Sequence, residues 1–164
     1  MKAVRIHEFG DVDVLRWEEA PVPKPRAGQV LIKVDSAGVN YADIMRRGGN
    51  YPGPNLPTTL GLEAAGRVVE LGEGVAGLTV GQPVMAMGPG GQGEYMAVNA
   101  NFVFPYPETT DPVEAGGMPI VFLTSYHLLK TRGQMQPGDT VLVQAGASGV
   151  GTVAIQLAKV WGGR

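Results

Sequence analysis

The sequence contains no cysteine and only two histidines, His7 and His127, far apart in the chain. Disulfides, thiolate nucleophiles and every Cys-based zinc site are thereby excluded, and a metal centre is not expected. Runs of lysine or arginine are missing as well. With a formal net charge of -2 and a pI near 5.7, the chain offers no footprint for a nucleic-acid backbone or an anionic membrane. Its densest basic pair, Arg46-Arg47, reads as the solvated end of a short helix. No stretch of about eighteen apolar residues occurs, and MKAVRIHEFG has no apolar h-region, so neither a membrane span nor a signal peptide is expected and a cytoplasmic location is the default. Three catalytic signatures are also absent: a G-x-S-x-G elbow, a Walker-type G-x-x-x-x-G-K-[ST] and H-E-x-x-H.

What is present fits a soluble globular chain holding one domain and part of another: 164 residues, 44% hydrophobic and 17% charged. The 25 glycines and 13 prolines imply many short strands. Lys2 to Ile6 and Val14 to Glu19 flank a Gly10-Asp11 turn signal and read as a hairpin. QVLIKV, from Gln29, alternates Val30, Ile32 and Val34 against Gln29, Leu31 and Lys33, the pattern of a strand. Asn40 is an N-cap for a helix that Gly48-Gly49 stops. Tyr51 opens a loop made stiff by Pro52, Pro54 and Pro57. Further strands are expected from Ala64 to Leu71, up to Met87, from Glu94 to Val98 and within NFVFPYP. This is a β-rich domain with little helix.

At Asp111 the texture changes. Asp111-Pro112 starts a short helix, and Pro119 to Arg132 reads as a second, largely buried one. On it Thr124, His127, Leu128 and Thr131 share a face, which serves either helix packing or a polar strip toward a cleft. Thr140 to Gln144 is the continuous apolar run of a strand covered on both faces, and a helix follows the glycines after it. Gly146, Ala147, Ser148, Gly149, Val150 and Gly151 match G-x-G-x-x-G with Ser148 in the second glycine's place. Between a strand and a helix, this is the setting for a pyrophosphate-binding turn. A serine at a position requiring positive φ would be strained. The acids Asp43 and Glu63 read as hydrogen-bonding groups first and proton carriers second.

Several segments together resemble the zinc-free quinone oxidoreductases, the ζ-crystallin-like branch of the medium-chain dehydrogenase/reductase superfamily. They are VLIKVDSAGVNYADIMRRGGNYP, LPTTLGLEAAGRVVELGEGV, GQGEYMAV, FLTSYHLL and VLVQAGASGVGTVAIQLAKVWG. Zinc-dependent relatives carry a cysteine in the VNYAD segment and a histidine before the glutamate of GLE. Val39-Asn40 and Leu62 stand at those places here. Leu60 and Gln82 depart from the family's usual proline and aspartate in what look like turns.

The resemblance implies a mainly β, GroES-like N-terminal barrel (residues 1–118), a linking helix and turn (119–138), and the first strand and helix of an incomplete α/β Rossmann segment (139–164). It implies NADPH as cofactor and hydride transfer to a quinone or another electron-poor small molecule, without a metal. Carried over by position, Asn40, Tyr41, Asp43 and Tyr51 would be catalytic. Asn40, Thr124, Gly146, Ser148, Gly149, Val150 and Gly151 would hold the cofactor. The family's chains are roughly twice as long. The chain is therefore expected to be truncated within the Rossmann domain, impaired in activity, and able to pair with a second copy through the unpaired strand at 139–145. Two other readings stay open: an enoyl reductase of the same superfamily, and a non-enzymatic GroES-like interaction module.

Overall fold

The computed structural model describes residues 1–53 and 55–164. Pro54, one of the prolines of the expected stiff loop, lies outside the described residues. The chain divides into two compact units, Met1–Met118 and Pro119–Arg164.

In the first unit, β1 (Lys2–Ile6) pairs antiparallel with β2 (Arg16–Glu19), Lys2 facing Glu19 and Arg5 facing Arg16. The hairpin expected from the sequence is therefore present, but its connection contains a 3-10 turn at Val12–Val14, capped by the Asp11 carboxylate accepting from the Val12 N–H at 2.8 Å. The short β4 (Thr58–Thr59) covers the other edge of β1. A second sheet follows the order β7-β3-β5-β6-β8, with all neighbours antiparallel. Its strands are β3 (Gln29–Ser36), β5 (Glu63–Leu71), β6 (Pro83–Met87), β7 (Tyr95–Asn99) and β8 (Val103–Pro105).

One face of this sheet forms the core. Val30 and Ile32 of β3, Ala64 and Val68 of β5, Val84 and Ala86 of β6, Met96 and Val98 of β7, and Val103 of β8 bury against one another. Along β3, β6 and β7 these positions recur two apart, as the pleat requires. Each larger side chain contributes about 1.5–3 kcal/mol of transfer free energy on burial. Leu31, on the opposite face of β3, is buried too. The helix α2 (Pro112–Gly116) packs across β3 and β5 and is tied to β3 where the Ser36 hydroxyl donates to the Pro112 carbonyl. Asp111 caps α2 by accepting from Val113 N–H at 2.9 Å.

The strands do not close into the expected barrel. Among the described residues the two sheets meet at the bridge from Ala3 to Gly93 and at bonds such as Val4 N–H to Gln92 O, 2.9 Å. The glycine-rich 88–93 connection turns there, so no continuous ladder can run past it.

The second unit also differs from the sequence expectation. The helix read as Pro119 to Arg132 is α3 (Pro119–Tyr126), which widens over His127–Arg132 into a π-turn closed by Gly133 N–H to Leu128 O at 2.8 Å. Its burial is slight: Phe122, Leu123, Tyr126 and Leu128 are exposed, whereas Ser125 and Leu129 are buried. Against it lies α4 (Gly149–Val160), and Leu129, Met135, Ala154 and Ala158 make a small core there. Trp161 caps that core, edge-on to Tyr126 with ring centroids 5.7 Å apart and with Lys130 Nζ 4.8 Å from its ring centroid.

The buried strand expected at 139–145 is not formed. A strand exists only where a neighbour takes its backbone groups. Here Val141 N–H donates to Arg164 O at 2.7 Å and Arg164 N–H to Asp139 O at 2.9 Å, and no ladder follows; Leu142 is 87% exposed. Among the described residues no helix is long and apolar enough to cross a membrane. The backbone amides of Leu142 and Val143 are expected to exchange with solvent at least about 100-fold faster than those of Ile32 and Val68, as hydrogen exchange followed by NMR would show.

Candidate active site

In the first unit the chain leaves β3 at Ser36 and enters α1 (Tyr41–Arg47) through Asn40, whose extended backbone (φ -108°, ψ 155°) makes it the helix's N-cap residue. The Asp43 carboxylate, one turn on, accepts from the Asn40 N–H through Oδ2 at 2.8 Å. An acid in the first turn satisfies one of the donors exposed at a helix start and suits the helix dipole. The Asn40 side chain also reaches back to β5: Nδ2 donates to Glu63 Oε1 at 2.8 Å. Glu63 begins β5 and is only 1% exposed. Two acids from different elements thus hold one asparagine, at its backbone and at its amide.

Asp43 is 4% exposed and Arg46 3%. Arg46 is therefore not the solvated helix end expected from the sequence; of the basic pair, Arg47 reaches outward, bonding Asp11 Oδ1 at 2.9 Å through Nη2. Arg46 lies three residues after Asp43, so both project from the same inward face of α1. Its guanidinium packs against Gly53, where any Cβ would collide with it. Burial pushes the Asp43 carboxyl above its usual range, opposed by the Asn40 and Gly61 backbone amides and by the charge of Arg46. Burial pulls Arg46 down, opposed by the fields of Asp43 and Tyr51. Asp43 Oδ1 and Arg46 Nη2 are buried without a hydrogen-bond partner.

Asn40 and Asp43 thus belong to one neighbourhood with Glu63, and the field of Tyr51 reaches Arg46 beside it. Tyr41 follows Asn40 directly but stands 76% exposed, and Tyr51 is 41% exposed; each turns an aromatic surface toward solvent. Sequence reasoning passed over Arg46. The signal was its three-residue spacing from Asp43, which a solvated reading of the Arg46-Arg47 pair hides.

In the second unit the glycine turn takes the expected shape with one change. Ser148 has φ -74° and serves as the N-cap of α4, Oγ accepting from Gly151 N–H at 3.0 Å. The strain foreseen for a serine here does not arise, because the left-handed position is Ala145, φ 53°. Gly151 has no room for a side chain: a Cβ would strike Ala145 O and the Gly146 backbone. The turn is therefore wrapped tightly on the helix N-terminus, as close approach to a pyrophosphate requires. A helix N-terminus of this kind offers backbone N–H groups to an anion such as a phosphate. Ser125, also passed over, is fully buried and donates to Val150 O at 3.0 Å, pinning the turn to α3. Thr124 beside it is exposed, as are His127 and Thr131. Among the described residues no three His, Asp or Glu side chains converge as a metal site.

Two measurements test these assignments. Replacing Ser148 by Ala removes the α4 cap and should cost about 1 kcal/mol in urea denaturation of the second unit. Asp43, whose folded pKa is raised, contributes stability that is fully present below its unfolded value of 3.8 and is lost as pH rises through the folded one. Asp43→Asn should flatten that fall in urea midpoints measured across the acid range.

The chain resembles one family model and several known proteins. The model for the alcohol dehydrogenase GroES-like domain matches residues 26–108. A phenolphthiocerol/phthiocerol polyketide synthase of Mycobacterium tuberculosis is 35% identical over 162 residues, 98% of this chain and 7% of the synthase. The Escherichia coli quinone oxidoreductase, solved in complex with NADPH, superposes with a TM-score of 0.92 at 30% identity, over all of this chain and 51% of that one. The CurK enoyl reductase superposes with a TM-score of 0.90 at 29% identity, over 99% of this chain and 52% of that one. The chain spans about half the length of these solved enzymes and 7% of the synthase.

Proposed function

Because this chain belongs to the alcohol dehydrogenase GroES-like domain family, within the medium-chain dehydrogenase/reductase oxidoreductases, we propose that it serves an NADPH-dependent, zinc-independent quinone oxidoreductase. The observation that carries this reading is the Asn40-Asp43-Glu63 constellation. The segment that would hold a metal in zinc-dependent relatives here holds an amide and two buried acids, organised by hydrogen bonds. Such a site orients a substrate but has neither the cysteine nor the histidine that would hold a zinc ion to polarise an alcohol. An electron-poor acceptor suits it, since reduction then depends on positioning and exclusion of water.

NADPH, when bound, supplies the hydride. Ser148, Gly149, Val150 and Gly151 would receive its pyrophosphate at the start of α4. Tyr41 and Tyr51 offer aromatic surface against which a planar quinone can stack. The quinone takes one hydride and one proton and leaves as hydroquinone. Asp43, whose carboxyl is raised by burial, keeps its Asn40 contact while lying in the same neighbourhood.

The second reading, an enoyl reductase acting on an α,β-unsaturated thioester, is favoured by the likeness to CurK and to the polyketide synthase. Both readings share the cofactor and differ in the acceptor. Fluorescence titration is expected to show NADPH binding that is weak, in keeping with a chain about half the length of the solved enzymes, and that Gly151→Val abolishes. Steady-state assays should then show NADPH oxidation faster with a simple benzoquinone than with a crotonyl thioester. The opposite order would move the assignment to the enoyl reductase, and absence of both binding and turnover would move it to a non-enzymatic module.

A further inference from the structure

Glu63 is the acid that the proposed chemistry leaves without a task. It lies at the start of β5, 1% exposed, among the most completely buried large side chains of the molecule. Burying a carboxylate is costly unless it is given donors, so its surroundings indicate what it is kept for. Its Oε1 receives the Asn40 Nδ2 at 2.8 Å. On one side it lies against the backbone of Gly38, where a Cβ would overlap the carboxylate. Its own backbone is covered by Gly91 in the same manner. The acid is therefore held from two directions, and a buried group so held cannot follow Asn40 if that side chain turns.

We infer that Glu63 is a positioning residue that fixes the polarity of the Asn40 carboxamide, with its amide nitrogen toward β5 and its carbonyl oxygen left for the start of α1, where Asn40 and Asp43 form a capping box. A carboxylate can only accept, so the end of the asparagine that faces it has to be the NH2. A flipped amide would set oxygen against oxygen. The other end of Asn40 is then Oδ1, which has two lone pairs, on a half-buried residue. The Asn40 backbone is locked independently by Asp43, which leaves the amide's direction as the one variable that Glu63 controls.

The test has two parts. In an NMR spectrum of the 15N-labelled chain, the Asn40 side-chain NH2 pair should be resolved and slow to exchange with solvent. Glu63→Gln and Gly38→Ala should both return it toward the values of a free asparagine, while the backbone spectrum of β3, β5 and β6 persists. An Asn40 amide already exchanging freely in the unmodified chain would overturn the proposal without reference to any variant.

The second part is a cycle of stabilities of the first unit in urea. Asn40→Asp sets two acids against each other, and Glu63→Gln frees the amide to flip; each should lower the urea midpoint. Combining Asn40→Asp with Glu63→Gln restores a hydrogen bond with its direction reversed, the introduced glutamine amide donating to the introduced aspartate. The midpoint of this double variant should lie above that of either single variant, a coupling that independent structural damage cannot produce. Additive losses would overturn the proposal.

Discussion

Burying Glu63 ties distant segments of the first unit together. An acid taken out of water must be given donors and close packing, and the unit supplies both from distant parts of the chain. Gly38 after β3, Gly91 in the turn before β7 and Asn40 ahead of α1 converge on the first residue of β5. Those segments lie between strands whose alternate side chains build one apolar face. The hydrophobic face thus sets the strand positions, and the acid sets how the connections leave them. The site is what results where these two demands meet: α1 is anchored at its N-terminus by acids, with Asp43 and Arg46 folded beneath it.

Most of the first unit was legible in the sequence because period-2 alternation and capping residues are local signals. The strands at Lys2–Ile6, Glu63–Leu71 and Tyr95–Asn99 fall where the apolar segments lie, and Asn40 and Asp111 cap helices as their residue types imply. Features that depend on distant partners were not legible. Arg46 is charged, and nothing adjacent to it in the chain shows that Gly53 folds over its guanidinium. Val141 to Val143 have the composition of a strand, yet strand formation is a property of two segments, and no ladder takes their backbone groups. Ser148 misleads for a third reason. The glycine pattern concerns backbone approach at each position, but the positive φ of this turn falls on Ala145.

The two units are stabilised by different amounts of apolar packing. The first buries a nine-residue cluster along a five-stranded sheet, whereas the second relies on four buried side chains around α3 and α4. The second compensates with specific contacts. Ser125 pins the glycine turn, Ser148 caps α4, and Lys130 spans from the Met135 carbonyl, 3.0 Å, to the face of Trp161. Its glycine turn is accordingly better ordered by hydrogen bonds than by core, and the loss of one such bond is felt more there than in the sheet.

The position of Trp161 makes the two units optically separable. The chain has two tryptophans, Trp17 on β2 of the first unit and Trp161 after α4 of the second. Trp17 is largely in water, while Trp161 sits half-buried between the Tyr126 ring edge and the Lys130 ammonium. A cation over an indole and a phenol against its edge both alter its emission, and both are lost when α3 and α4 part. The intrinsic fluorescence of this protein therefore carries a reporter for the unit that holds the glycine turn, distinct from the signal of the sheet.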